Sequence, residues 1–187
     1  MSTSSKALLI IDMINDFQFQ HGKVLAEKAA AIAENIFALK KYCYKSNSPV
    51  IYINDHYSLW KADINSIIDY CSNEYSHNIL EKIAPQKADY FLIKPKHSAF
   101  YGTALNTLLH QLKVDELILT GIAGNICVLF TANDAYMREY SIIVPDNAIA
   151  SVDEKDNVYA LTMMKNVMKA KIFKYEKNNI MSSPLQT

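Results

Sequence analysis

Along the chain, short unbroken apolar runs alternate with longer segments whose apolar residues recur every three or four positions. The runs at 7–11 (ALLII), 50–53 (VIYI), 90–93 (YFLI), 116–120 (ELILT), 141–144 (SIIV) and 171–175 (KIFKY) are too short for helices, and most are flanked by Asp, Asn, Pro or Gly. They predict six β-strands. The stretches 24–44, 103–112, 126–138 and 154–168 carry helical spacing and lie between them. ALLII and LILT show no polar alternation, as central parallel strands covered on both faces should. The pattern thus predicts an α/β fold, a three-layer α/β/α sandwich on a six-stranded, doubly wound parallel sheet. The segment 56–86, with Trp60, Cys71 and several Asn and Ser, fits no strand and is expected to form one or two helices and a loop over the site.

Half of the 187 residues are apolar, enough to bury one core without staples, so 1–187 reads as one domain. Nineteen basic residues balance nineteen acidic ones, which gives no electrostatic reason to expect nucleic acid or an anionic membrane surface. The expected partner is a small-molecule substrate. The apolar run before Asp12 is too short for a signal peptide or a membrane span, so the expected location is the cytoplasm. Cys43, Cys71 and Cys127 are an odd number without CxxC pairing, which indicates neither a disulfide framework nor a zinc knuckle.

In an open parallel sheet, ligands sit beyond the carboxyl ends of the strands. Those ends carry Asp12, the run Asn54-Asp55-His56, Lys94, and Gly121 ahead of Cys127. Spacing alone leaves each residue two readings. Asp12 is either a turn cap or an acid-base group. Lys94 is either a solvated surface lysine or, after the apolar FLI, a partly buried one. Cys127 is either a small buried hydrophobe or a nucleophile in the first turn of a helix, where the dipole favours a thiolate.

The stretches LLIIDMINDF (8–17), IKPKHSAFYGT (93–103) and LILTGIAGNICVLFTANDAYMREY (117–140), in this order, resemble the three signatures of isochorismatase-like cysteine hydrolases. The resemblance implies that Asp12, Lys94 and Cys127 are a catalytic triad. In it the thiol attacks a carbonyl carbon, Asp12 takes its proton and an acyl-enzyme forms. It also implies an oxyanion hole from the backbone N–H groups of Ala123 and Cys127, and a non-proline cis peptide between Ile122 and Ala123. No cofactor is needed for this cycle, and a homo-oligomer, dimer or tetramer, is expected because similar proteins often form one. Members that are true isochorismatases cleave a vinyl ether without depending on the cysteine, so Cys127 favours amides and related acyl substrates.

The chain also departs from relatives of this kind. Nicotinamidases build a metal site from an Asp, a His two residues later and a further His; here Asp55 and His56 are adjacent and His77 lies in the polar EYSHN, so no metal is expected. Ile14 and Gly124 stand where Gln and Thr or Ser are frequent, which leaves the substrate open. Phe17, Trp60, Phe100 and Tyr101 fall near the expected mouth and are candidates to bind a flat or apolar substrate, with a core role as the alternative. His97 reads as an exposed loop residue. Two rival readings are an idle binding domain of the same fold and a redox sensor pairing Cys127 with Cys43 or Cys71.

Overall fold

A computed structural model describes residues 5–61 and 63–176, so the first four residues of the N-terminal segment lie outside it. In chain order the elements are β1 (Lys6–Ile11), α1 (Gly22–Lys45), β2 (Val50–Asp55), α2 (Ile64–Cys71), α3 (His77–Ile83), β3 (Tyr90–Lys94), α4 (Leu105–Gln111) and β4 (Glu116–Ile122). A π-type turn (Gly124–Val128) runs into α5 (Leu129–Tyr136), followed by β5 (Ser141–Pro145), a short 3-10 turn, β6 (Ile149–Ala150), α6 (Glu154–Asn166) and β7 (Lys171–Phe173). The six expected strands are present and parallel, in the order β3-β2-β1-β4-β5-β7. The two-residue β6 is an addition that pairs with the last residues of β4. At two residues it is too short to leave a hydrophobic pattern. The segment 56–86 holds the two helices α2 and α3.

Alternate residues of β1 feed opposite layers, as the two-residue period of a strand requires. Leu8 and Ile10 join a core with α1, α2 and α3, whereas Ala7, Leu9 and Ile11 join one with α4, α5 and α6. All five are fully buried, which is why the run carries no polar position. The chain steps outward from β1 to β3 and then returns to the other side of β1 through β4. That reversal lies between β1 and β4, where an open α/β sheet leaves a crevice at its carboxyl end.

Gly121 marks the closest approach of the two central strands. Its φ is +112°, and a Cβ there would lie 2.1 Å from the carbonyl oxygen of Ile11, its register partner. Only glycine fits such a site. Gly121→Ala is therefore expected to cost about 3 kcal/mol, or roughly 10 °C in Tm, from backbone strain plus overpacking. Thermal unfolding checks this, and an unchanged Tm would show that the two strands can separate at no cost.

Candidate active site

The three side chains that close the motifs meet at the reversal point. Asp12 follows β1 directly, with φ at +52° and its N–H donating to Ile53 O at 3.0 Å. Its Oδ1 accepts the Asp55 N–H at 3.1 Å, and its Oδ2 lies 2.9 Å from Lys94 Nζ. No local turn N–H binds this carboxylate, and α1 begins ten residues later. The capping role is thereby excluded.

Lys94 ends β3 and is 2 % exposed. Its ammonium has three partners: Asp12, the Lys96 carbonyl at 3.1 Å and Cys127 Sγ at 3.6 Å. An ammonium has three protons to donate, so the set is complete. Cys127 lies in the π-type turn after β4 and retains partial exposure.

Charge sets the protonation states. Burial pushes the Asp12 carboxyl above the usual carboxylate range despite the adjacent Lys94. For Lys94 burial acts downward, but the charges of Asp12 and Cys127 outweigh it and hold the ammonium above its ordinary value. The Cys127 thiol is pushed up, first by burial and then by the Asp12 charge, with Lys94 opposing. This corrects the expectation of a thiolate favoured by the helix terminus. Burial and the Asp12 charge together favour the thiol form of Cys127 over the thiolate.

The loop after Asp12 is held by groups the sequence did not single out. Asn54, fully buried, donates to Ile14 O and accepts the Ile14 N–H at 3.4 Å. Tyr57 donates its hydroxyl to the same carbonyl at 2.8 Å. On the other side, Thr131 donates to Cys127 O at 2.7 Å and accepts the Ala99 N–H at 3.0 Å, which ties the segment after Lys94 to the cysteine turn. The sequence placed Asn54 at its strand end without a role, and nothing in it marked Tyr57 or Thr131. The Ile122–Ala123 peptide bond is cis.

The aromatic candidates separate into two groups. Phe17 is 2 % exposed within the core against α1. Phe100 is 5 % exposed, stacked 5.9 Å from Tyr140, which sits before β5 at the opposite end of the sheet. Both are core residues and present almost no surface to a substrate, because apolar side chains next to a mouth are drawn inward when the layer beneath can bury them. Trp60 and Tyr101 are exposed. Trp60 stacks 4.0 Å from His56.

Asp55 Oδ1 accepts the Tyr57 N–H and His56 Nδ1 accepts the Ser58 N–H, each at 3.0 Å. Among the described residues no three His, Cys, Asp or Glu side chains are grouped to hold a metal ion. The nicotinamidase-type donor set does not fit here, since the adjacent pair is engaged in its own turn and His77, exposed at the start of α3, joins no such group. His97 is exposed beside Phe130. Cys43 and Cys71 are fully buried in the layer against α1, with thiols pushed up to about 12 by burial. Cys127 packs on the opposite layer, so the sheet separates it from both proposed redox partners.

Known proteins resemble this chain in sequence and in fold. The model of the isochorismatase domain matches residues 6–172. The uncharacterized isochorismatase family protein YaaI of Bacillus subtilis (strain 168) is 61% identical over 172 residues, covering 92% of this chain and 95% of that protein. Among solved structures, N-carbamoylsarcosine amidase from Thermoplasma acidophilum superimposes with a TM-score of 0.73 at 28% identity, over 95% of this chain and 99% of that one. The nicotinamidase PncA from Bacillus subtilis gives 0.68 at 29% identity, over 89% and 97%. With its three motifs meeting at one crevice and the domain match running from β1 into β7, the chain belongs to the isochorismatase family of hydrolases.

Proposed function

We propose that this protein is a cysteine hydrolase that cleaves a small amide or related acyl compound through an acyl-enzyme on Cys127. The observation that carries the reading is the convergence of three chemically complementary groups, with Lys94 Nζ 2.9 Å from Asp12 and 3.6 Å from Cys127 Sγ. Asp12 accepts the thiol proton as the sulfur attacks the carbonyl carbon. The leaving amine then takes that proton as the C–N bond breaks; in the second half-reaction Asp12 receives one from the attacking water and returns it to the sulfur as the C–S bond breaks and the acid leaves. Lys94 stays cationic throughout and stabilises the thiolate as it forms. The N–H groups of Ala123 and Cys127 are assigned to the oxyanion, each such donor contributing about 3–4 kcal/mol. The two similar amidases support a C–N bond as the target. Nicotinamide-like amides and N-carbamoyl compounds are the first candidates, with Trp60 and Tyr101 as the aromatic surface available to them.

The direct test is mass spectrometry of the intact protein after incubation with a panel of amides, carbamoyl compounds and esters. A single acyl adduct on Cys127 is expected; turnover without any adduct, or an adduct confined to another residue, would overturn the covalent route. Turnover should also fall on the acid side at a pH above the ordinary carboxylate value of 3.8, because Asp12 titrates high and is useless as a base once protonated.

Asp12→Asn should lower kcat by about 10²–10⁴-fold, since the amide keeps the shape but cannot take a proton. It also leaves the Lys94 ammonium buried without its anion, so a Tm decrease accompanies the loss. Lys94→Met should slow acylation by removing the charge that stabilises the thiolate, and the double variant should be no slower than the worse single, because the residues act as a unit. Additive losses in that cycle would mean that the two act independently.

The proposed covalent route needs no Lewis acid, and Asp55 Oδ1 and His56 Nδ1 accept N–H groups of their own turn. Activity should survive exhaustive chelation; activity lost to a chelator and restored by zinc would refute this.

A further inference from the structure

The turn that carries Cys127 lacks a cap of its own. A helix leaves its first N–H groups without intrahelical partners, and a Ser, Thr, Asp or Asn just before it normally supplies an acceptor. Here the residue in that place is Ala123, which has no side-chain acceptor. Ala123 O accepts the N–H groups of Ile126 at 3.0 Å and Val128 at 3.2 Å. The Asn125 N–H instead donates to Ser151 Oγ at 3.0 Å, a residue 26 positions further along the chain.

Ser151 follows β6, whose two residues pair with Gly121 and Ile122 at the end of β4. Its hydroxyl donates to Asn157 Oδ1 at 2.8 Å. With its proton fixed on Asn157, the hydroxyl turns a lone pair to Asn125. Ser151 is 1 % exposed and Asn157 4 %, so water does not compete for either bond. Space beside the pair is closed as well: a Cβ on Gly124 would come within 2.2 Å of Asn157 Oδ1 and 3.1 Å of Ser151 Oγ. The glycine where relatives of this kind often carry Thr or Ser thus has a steric cause, and the hydroxyl that caps the turn comes from β6 instead.

We infer that Ser151 and Asn157 are positioning residues that cap the cysteine turn from a distance and so fix where the Cys127 thiol stands relative to Asp12 and Lys94. β6 serves to deliver this cap. The inference concerns the geometry of the thiol, and it rests on the proposed hydrolase reading only for its turnover measurement.

The test compares Ser151→Ala, Asn157→Leu and Asn157→Asp, the last keeping an acceptor oxygen for the serine hydroxyl. Iodoacetamide labelling of Cys127, followed by peptide mass spectrometry against pH, reads the environment of the thiol without any substrate. Ser151→Ala and Asn157→Leu should move the labelling midpoint down by about 1 pH unit, toward the ordinary thiol value of about 8.5, as the sulfur leaves its buried place beside Asp12. Asn157→Asp should retain the wild-type midpoint. If Ser151→Ala fails to fold, the two Asn157 variants carry the comparison alone. On any compound that acylates Cys127, the two disruptive variants should lose about tenfold or more in kcat with KM unchanged. A lowered Tm with an unchanged labelling profile would reduce the pair to a structural contact and overturn the inference. A moved midpoint in a protein that no panel compound acylates would support it while removing the proposed reaction, and unchanged kcat in Ser151→Ala would do the reverse.

Discussion

Asp12 and Lys94 face each other at 2.9 Å with side chains 9 % and 2 % exposed. Taking either charge out of water costs several kcal/mol, so neither residue is tolerable without the other and without further hydrogen bonds. The surroundings supply them: the Asp55 N–H on the carboxylate and the Lys96 carbonyl on the ammonium. Each partner comes from a different strand end, and the pair can form only if β1, β2 and β3 lie side by side in register. The parallel order of the sheet provides this, and the ion pair in turn is strongest in the one register that the sheet adopts. Gly121 makes the approach of β1 and β4 close enough for Cys127 to join from the other side.

The same charges decide how the sulfur behaves. A lysine beside a thiol favours the thiolate, but burial opposes it and the Asp12 carboxylate opposes it further. Burial and the carboxylate thus favour the proton on sulfur, and the Asp12–Lys94 pair is where opposite charges meet at 2.9 Å. In the proposed reaction, proton transfer from Cys127 to Asp12 would move the anion from one group to the other while Lys94 contacts both. Net charge in the buried site is unchanged by that transfer, which keeps the desolvation cost of generating the nucleophile small. Cys43 and Cys71, buried without such partners, have thiols pushed up with burial as the main cause.

How much of this was legible in the sequence depends on whether a feature is periodic, local or remote. The strands were legible because fully buried parallel strands leave unbroken apolar runs, and so was the place of Asp12, Lys94 and Cys127 beyond the strand ends, while the choice of a triad over a cap, a surface lysine and a buried thiol came from the resemblance of the three motifs. The protonation of Cys127 was not, since the helix dipole can be inferred from spacing but the carboxylate that opposes it comes from the far side of the crevice. Phe17 and Phe100 were misplaced for a related reason. Position near a strand end sets where the backbone passes and leaves the direction of the ring to packing, and in both cases the core had room. The roles of Asn54, Thr131 and Ser151 were invisible, Asn54 being placed at a strand end but not assigned, because a buried polar residue is recognisable only by its partner, which here lies 26 to 40 residues away for Ser151 and Asn54, or is a backbone carbonyl four residues back for Thr131.

The Ser151 cap shows what β6 contributes beyond its two residues of pairing. A two-residue strand adds little to the stability of a sheet of this size, and by hydrophobic pattern alone it would pass for loop. Its registry with Gly121 and Ile122 sets Ser151 beside the turn that leaves β4, at the one place where an acceptor is missing. A cap taken from the turn itself would need a polar side chain at Ala123 or Gly124, and at Gly124 the Cβ of such a residue would collide with Asn157. Moving the acceptor to a neighbouring strand frees both positions of side-chain bulk. The orientation of the turn is still held, through Ser151 after β6 and Asn157 on α6.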